Sequence, residues 1–207
     1  MGILTKKASF LKILFNLFVI QNEPISIVHF LTNRCNARCS FCFIDFSDES
    51  IFKDELKIDE IEKLTNNLGS SLLNVNLTGG EPFARKDITE IAKLYCRNTN
   101  IQSIYITTNG SLPERIKSFC KEITNNFKHI TITISISIDD IEENHDKIRK
   151  IDGLFNNCIE SYKSIENLKN VEPVVAITVS HDNYNNVYFF YVLKEFYKHL
   201  HLLQFLL

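Results

Sequence analysis

Apolar, β-branched runs alternate along the chain with segments whose apolar residues recur every three or four positions. The runs are ISIVHFL (25–31), SLLNVNL (71–77), IQSIYIT (101–107), ITITISISI (130–138), EPVVAITV (172–179) and HLLQFLL (201–207). Between them lie DEIEKLTNNL (59–68), DITEIAKLYC (87–96), LPERIKSFCKEITNNF (112–127), LFNNCIESYKSIENL (154–168) and YNNVYFFYVLKEFYKHL (184–200). Short runs of the first kind read as buried strands, and the three-to-four spacing reads as helix. Strict alternation of the two argues for a parallel sheet with right-handed crossovers, open or curled into a full or partial barrel. Pro113 at the start of one helix and Asn109-Gly110 just after a strand are the punctuation this arrangement expects.

At 207 residues the chain is long enough for one well-buried core, and a single core domain is expected over 23–207. A net charge of -2 offers no broad attraction to phosphate backbones or anionic lipid, so nucleic acid is not an expected partner. The stretch KKASFLKILFNLFVI (6–20) resembles a targeting signal at first sight. Lys12 and Asn16 interrupt it and no small-residue cleavage site follows, so residues 1–22 are expected to form an amphipathic helix packed on the core. No membrane span is expected. Cys96, Cys120 and Cys158 are isolated, without the paired spacing of a secreted disulfide framework, and read as helix-face core residues. Together these features point to the cytoplasm.

In parallel α/β folds, chemistry collects in the loops that follow the C-terminal strand ends. Here those loops read TNRCNARCSFCF, TGGEPF, TNG and DDIEENHDKIR. The first holds three of the chain's six cysteines, Cys35, Cys39 and Cys42. Structural zinc is closed by four ligands, and the nearest imidazole, His29, sits inside a strand, where a core role suits it better than ligation. Iron–sulfur clusters are held by cysteine thiolates, and a cubane normally takes four. Three thiolates spaced C-x3-C-x2-C leave one iron open to bind a small molecule directly. The second loop has two glycines that let backbone approach a ligand, followed by Glu81 and Pro82. Its acceptors suit an ammonium group.

Taken in order, CNARCSFC, TGGEP, TNG, and SIDD followed by HDKIR resemble the radical SAM superfamily. The resemblance runs from about residue 25 to the end. It is strongest to the branch that contains molybdenum cofactor biosynthesis protein A, the pyrroloquinoline quinone maturase and the anaerobic sulfatase maturases. It implies an α/β fold, a partial (β/α)6 parallel barrel that in this chain ends at the sixth strand. It implies that Cys35, Cys39 and Cys42 hold a [4Fe-4S] cluster whose open iron is chelated by S-adenosylmethionine (SAM). Phe41 then packs beside cluster and adenine, and Gly79, Gly80 and Glu81 take the methionine ammonium. Ser137 and Arg149 meet the SAM carboxylate, Asn109 and Asp139 face the nucleoside, and Val175 to Val179 lie against the adenine. The implied reaction is reductive cleavage of SAM to a 5′-deoxyadenosyl radical that abstracts hydrogen from a peptide or small-molecule substrate, with a reductant such as flavodoxin or ferredoxin.

Plainer roles stay open for several of these residues. Arg149 can pair with Asp146 on an exposed turn, Ser137 can fill a barrel layer beside Ser135, and Phe41 can be core. The branch often continues with a sixth helix and a cysteine-rich extension called SPASM, whereas this chain ends in HLLQFLL. Auxiliary clusters are therefore not expected. Either a protein partner covers the last strand or the chain is a shortened form of a longer enzyme, with truncation favoured. Two functional classes follow: an active radical enzyme, or a catalytically idle iron–sulfur module serving as a binding or electron-transfer partner.

Overall fold

The structure is a computed structural model and describes residues 14, 15, 18, 19, 23–53 and 55–186. The helices expected over 6–20 and 184–200 and the strand over 201–207 lie wholly or largely outside the described residues, as does most of the 1–22 unit. Five strands form one sheet: β1 (Ser26–Thr32), β2 (Asn74–Gly79), β3 (Ser103–Thr108), β4 (Thr131–Ser137) and β5 (Val171–Ala176). Every neighbouring pair is parallel, and spatial order follows chain order. The crossovers are α1 (Ile58–Asn67), α2 (Ile88–Asn98) and α3 (Pro113–Asn126), then α4 (Glu142–Arg149) and α5 (Leu154–Ile165) together between β4 and β5. This is the α/β parallel sheet that the alternation predicts. Among the described residues no helix is long and apolar enough to cross a membrane.

The packing explains why these runs become strands. In β4, Ile132, Ile134 and Ile136 are fully buried in the core between sheet and helices, while Thr133 and Ser135 fall on the opposite face by the two-residue period. Burying one such isoleucine stabilises the fold by about 2 kcal/mol. The helices bring matching stripes: Ile91, Ala92 and Tyr95 from α2, Ile116, Phe119 and Ile123 from α3, Leu154, Cys158 and Ile165 from α5. Cys96, Cys120 and Cys158 all sit in this core. Pairings Ile106↔Ile134 and Ile134↔Pro173 keep the strand ends at one rim. At that rim the β1–β2 register shifts between Phe30 and Thr32, which turns the chain into the cysteine loop.

Two boundaries differ from the sequence reading. Residues 142–149, read as part of a loop, form α4. The segment EENHDKIR has one aliphatic residue, so it shows no apolar stripe, and its buried side is His145, Ile148 and Arg149. Strand β5 ends at Ala176, leaving Thr178 and Val179 in the loop beyond it.

Candidate active site

The C-terminal rim of the sheet encloses a cavity of about 420 Å³. Cys35, Cys39, Cys42 and Phe41 line it from the cysteine loop, Gly79 and Gly80 from the turn after β2, and Asn109 from the turn after β3. Ser137 at the end of β4 and Arg149 at the end of α4 complete the polar wall, and Thr178 and Val179 close it after β5. Val175 is different. It is buried in the core with Ile177, so only the far end of the 175–179 stretch reaches the cavity.

The cysteine loop is fixed by backbone on both flanks. Arg38 N donates to Arg149 O at 3.1 Å and Ser40 N to Ile148 O at 3.3 Å, so α4 uses its last carbonyls, which lack helical partners, to hold the loop. On the other flank Gly80 N donates to Thr32 O (2.7 Å) and Glu81 N to Arg34 O (2.8 Å). These approaches explain both glycines. A Cβ at Gly79, where φ is 136°, would overlap the Thr32 carbonyl, and one at Gly80 would overlap that of Arg34.

Burial raises the Cys35 and Cys39 thiols above the ordinary range. Ala37 N donates to Cys35 Sγ (3.3 Å) and the Arg149 guanidinium acts on Cys39, and both influences pull back toward the thiolate. Asn109 Nδ2 also lies 3.8 Å from Cys35 Sγ. Three thiols on one wall, with N–H donors and a cation turned toward them, fit a thiolate-held cluster. Among the described residues no three His, Cys, Asp or Glu side chains converge as ligands of a single ion.

Glu81 and Asp139 lie behind the cavity wall, fully buried. Glu81 accepts hydrogen bonds from Phe83 N (2.9 Å), the Thr108 hydroxyl (2.8 Å) and Asn109 N (2.7 Å). Burial raises its carboxyl above the usual range while these donors pull it down. Its side chain thus bolts the TGGEP turn to the end of β3. Asp139 accepts from Arg149 Nε at 2.7 Å and from Thr178 N at 2.9 Å. The exposed Arg149–Asp146 pair does not form. Arg149 is 7% exposed and paired to Asp139, while Asp146 accepts from Gly153 N and Phe155 N at the start of α5. Among the described residues the terminal nitrogens of Arg149 donate no hydrogen bond, and Arg149 lines the cavity. The Arg149 guanidinium carbon lies 5.8 Å from the Phe41 ring centroid.

Sequence reading passed over His145 and Asn183 and treated Cys158 as core alone. Asn183, 1% exposed, donates to the carbonyls of Asp139 and Thr178 at 2.8 Å each. His145 stood in the quoted HDKIR segment, but its partner, Cys158, lies on the next helix and no spacing rule pairs them.

The Radical SAM superfamily model matches residues 30–194. The chain belongs to the radical SAM superfamily, whose members use a [4Fe-4S] cluster and SAM. It is 29% identical over 172 residues to Fe-coproporphyrin III synthase of Methanosarcina barkeri, covering 82% of this chain and 40% of that protein. It is 31% identical over 156 residues to GTP 3′,8-cyclase of Clostridium perfringens, covering 73% of this chain and 46% of that protein. The chain thus spans under half the length of either relative. The fold matches that of Streptococcus suis SuiB bound to S-adenosylmethionine, with a TM-score of 0.68 at 19% identity over 88% of this chain and 40% of that one. SuiB bound to its precursor peptide SuiA matches with a TM-score of 0.61, also at 19% identity, over 84% and 38%.

Proposed function

We propose that this chain is the radical-generating core of a radical SAM enzyme acting on a peptide or small molecule. The observation that carries the reading is one cavity that gathers three cysteine thiols, the Gly79-Gly80 backbone, Asn109, Ser137 and a buried arginine. Cys35, Cys39 and Cys42 would hold the [4Fe-4S] cluster, and SAM would occupy the remaining volume. Bound there, the pair supplies an electron to break the sulfonium S–C5′ bond and a carbon radical that removes hydrogen from substrate.

The chain's own groups position and exclude. Arg149 presents a guanidinium already oriented by Asp139 to a carboxylate, and Ser137 adds a hydroxyl beside it. Glu81 acts here through backbone: by holding Asn109 N and Phe83 N it fixes the turn whose glycines face the ligand. Phe41 and Val179 give the cavity apolar wall, which keeps water from a reactive carbon centre. A peptide substrate is supported by SuiB, which has this fold and takes a precursor peptide. A flavodoxin- or ferredoxin-type reductant would supply the electron, and the cytoplasm would provide both.

Anaerobic reconstitution with iron and sulfide, then dithionite and SAM, tests the reading. The expected result is 5′-deoxyadenosine from the wild-type chain and none from a variant with Cys35, Cys39 and Cys42 all replaced by Ala. A wild-type chain that takes up a cluster yet leaves SAM intact would instead mark the idle iron–sulfur module.

A further inference from the structure

Behind the cavity wall, two buried groups that the site above does not use, His145 and Cys158, join two residues that it does. Asp139 N donates to His145 Nδ1 at 3.1 Å. With that nitrogen accepting, the ring proton sits on Nε2, which lies 3.7 Å from Cys158 Sγ. The Cys158 thiol donates to Asn109 O at 3.1 Å. Donors and acceptors therefore run in one sense, from the end of β4 through α4 and α5 to the end of β3. His145 and Cys158 are both fully buried.

The two ends of this line follow the neighbouring strands β3 and β4, and each end sets a polar group of the cavity. Asp139 orients Arg149 (2.7 Å), and Asn109 sends its side chain to Asn36 Oδ1 (2.8 Å) and toward Cys35 Sγ (3.8 Å). The turn beside Asn109 is built around the thiol. Gly110 has φ 75°, and a Cβ there would stand 2.9 Å from Cys158 Sγ. One turn along α5, Ser161 Oγ donates to Gly110 O at 2.8 Å.

We propose that His145 and Cys158 are positioning residues, a buried imidazole–thiol tie that sets the spacing of Asn109 and Arg149 along the wall of the SAM cavity. The proposal rests on the function inferred above. A core cysteine acting only by volume would tolerate an apolar replacement, whereas a tie needs a group that both donates and accepts. Serine keeps both capacities and alanine has neither.

The test measures SAM binding to the anaerobically reconstituted chain, together with amide hydrogen exchange at Asp139 and melting of each variant. Cys158→Ala is expected to weaken SAM binding about tenfold and speed exchange at the Asp139 amide about tenfold. Cys158→Ser should return both to within about twofold of wild type. His145→Asn keeps an acceptor under the Asp139 amide but withdraws from Cys158, so it should retain Asp139 protection and still bind SAM weakly. Unchanged Asp139 exchange in Cys158→Ala, a serine variant as impaired as alanine, or wild-type SAM affinity in His145→Asn would each overturn the tie. A wild-type chain that takes up cluster but no SAM, with the amide pattern as expected, would overturn the function proposed above and leave the link between the two strand ends standing.

Discussion

Glu81 takes three donors on its two carboxylate oxygens with no exposed surface, so its substitution tests stability before it tests ligand binding. Glu81→Gln would set an amide NH2 against one of those donors, and it should destabilise the chain by about 1–3 kcal/mol in urea melts. Its SAM affinity should fall less than that of Arg149→Ala, as measured by titration of reconstituted protein. Gly79→Ala combines a positive φ with overlap on the Thr32 carbonyl, and should lose roughly 2–4 kcal/mol by the same urea assay. Wild-type stability in either variant would contradict the geometry. At this scale much of the site was legible: the cysteine spacing, the two glycines, Ser137 and Arg149 all reached one cavity. Glu81 and Asp139 were legible as positions but not as orientations, because a sequence does not tell whether a carboxylate faces a ligand or its own backbone donors.

Helix α4 is where element-scale reading was weakest. Its segment buries two polar side chains and one aliphatic, and hydrophobic periodicity is blind to such a helix. It matters because its last carbonyls hold the cysteine loop and its final residue is Arg149. The helix closes on Lys150, an exposed non-glycine residue at φ 56°. Left-handed backbone disfavours a side chain there more than the added freedom of glycine destabilises, so Lys150→Gly should raise stability by about 0.5–1 kcal/mol. A denaturant midpoint at or below wild type would show that the cap is not strained. The strands and the long helices were legible because burial on one face imposes a period. The end of β5 was not, since apolar residues continue past Ala176 into the loop.

For the molecule as a whole, two buried imidazoles set an acid limit. Burial first, then Arg85 for His29 and Arg149 for His145, pushes both pKa values down to about 4 from an ordinary 6.5. Below pH 6.5 the unfolded chain binds protons that the native chain refuses, so stability falls as pH drops from 6.5 toward 4 and is unaffected by these groups above 6.5. The loss should approach about 3 kcal/mol per histidine by the bottom of that range. Urea midpoints measured across pH 4–8 check it, and a flat profile over the acid half would refute the assignment.

The cysteine loop already has its course set by main-chain bonds to α4 on one side and to the TGGEP turn on the other. If the three cysteines hold the proposed cluster, iron and sulfide would meet a frame already restrained by these bonds, and little ordering would be left to oppose thiolate–iron bonding. The loop's course would then be inherited from the parallel sheet and its helices, not imposed by the inorganic group.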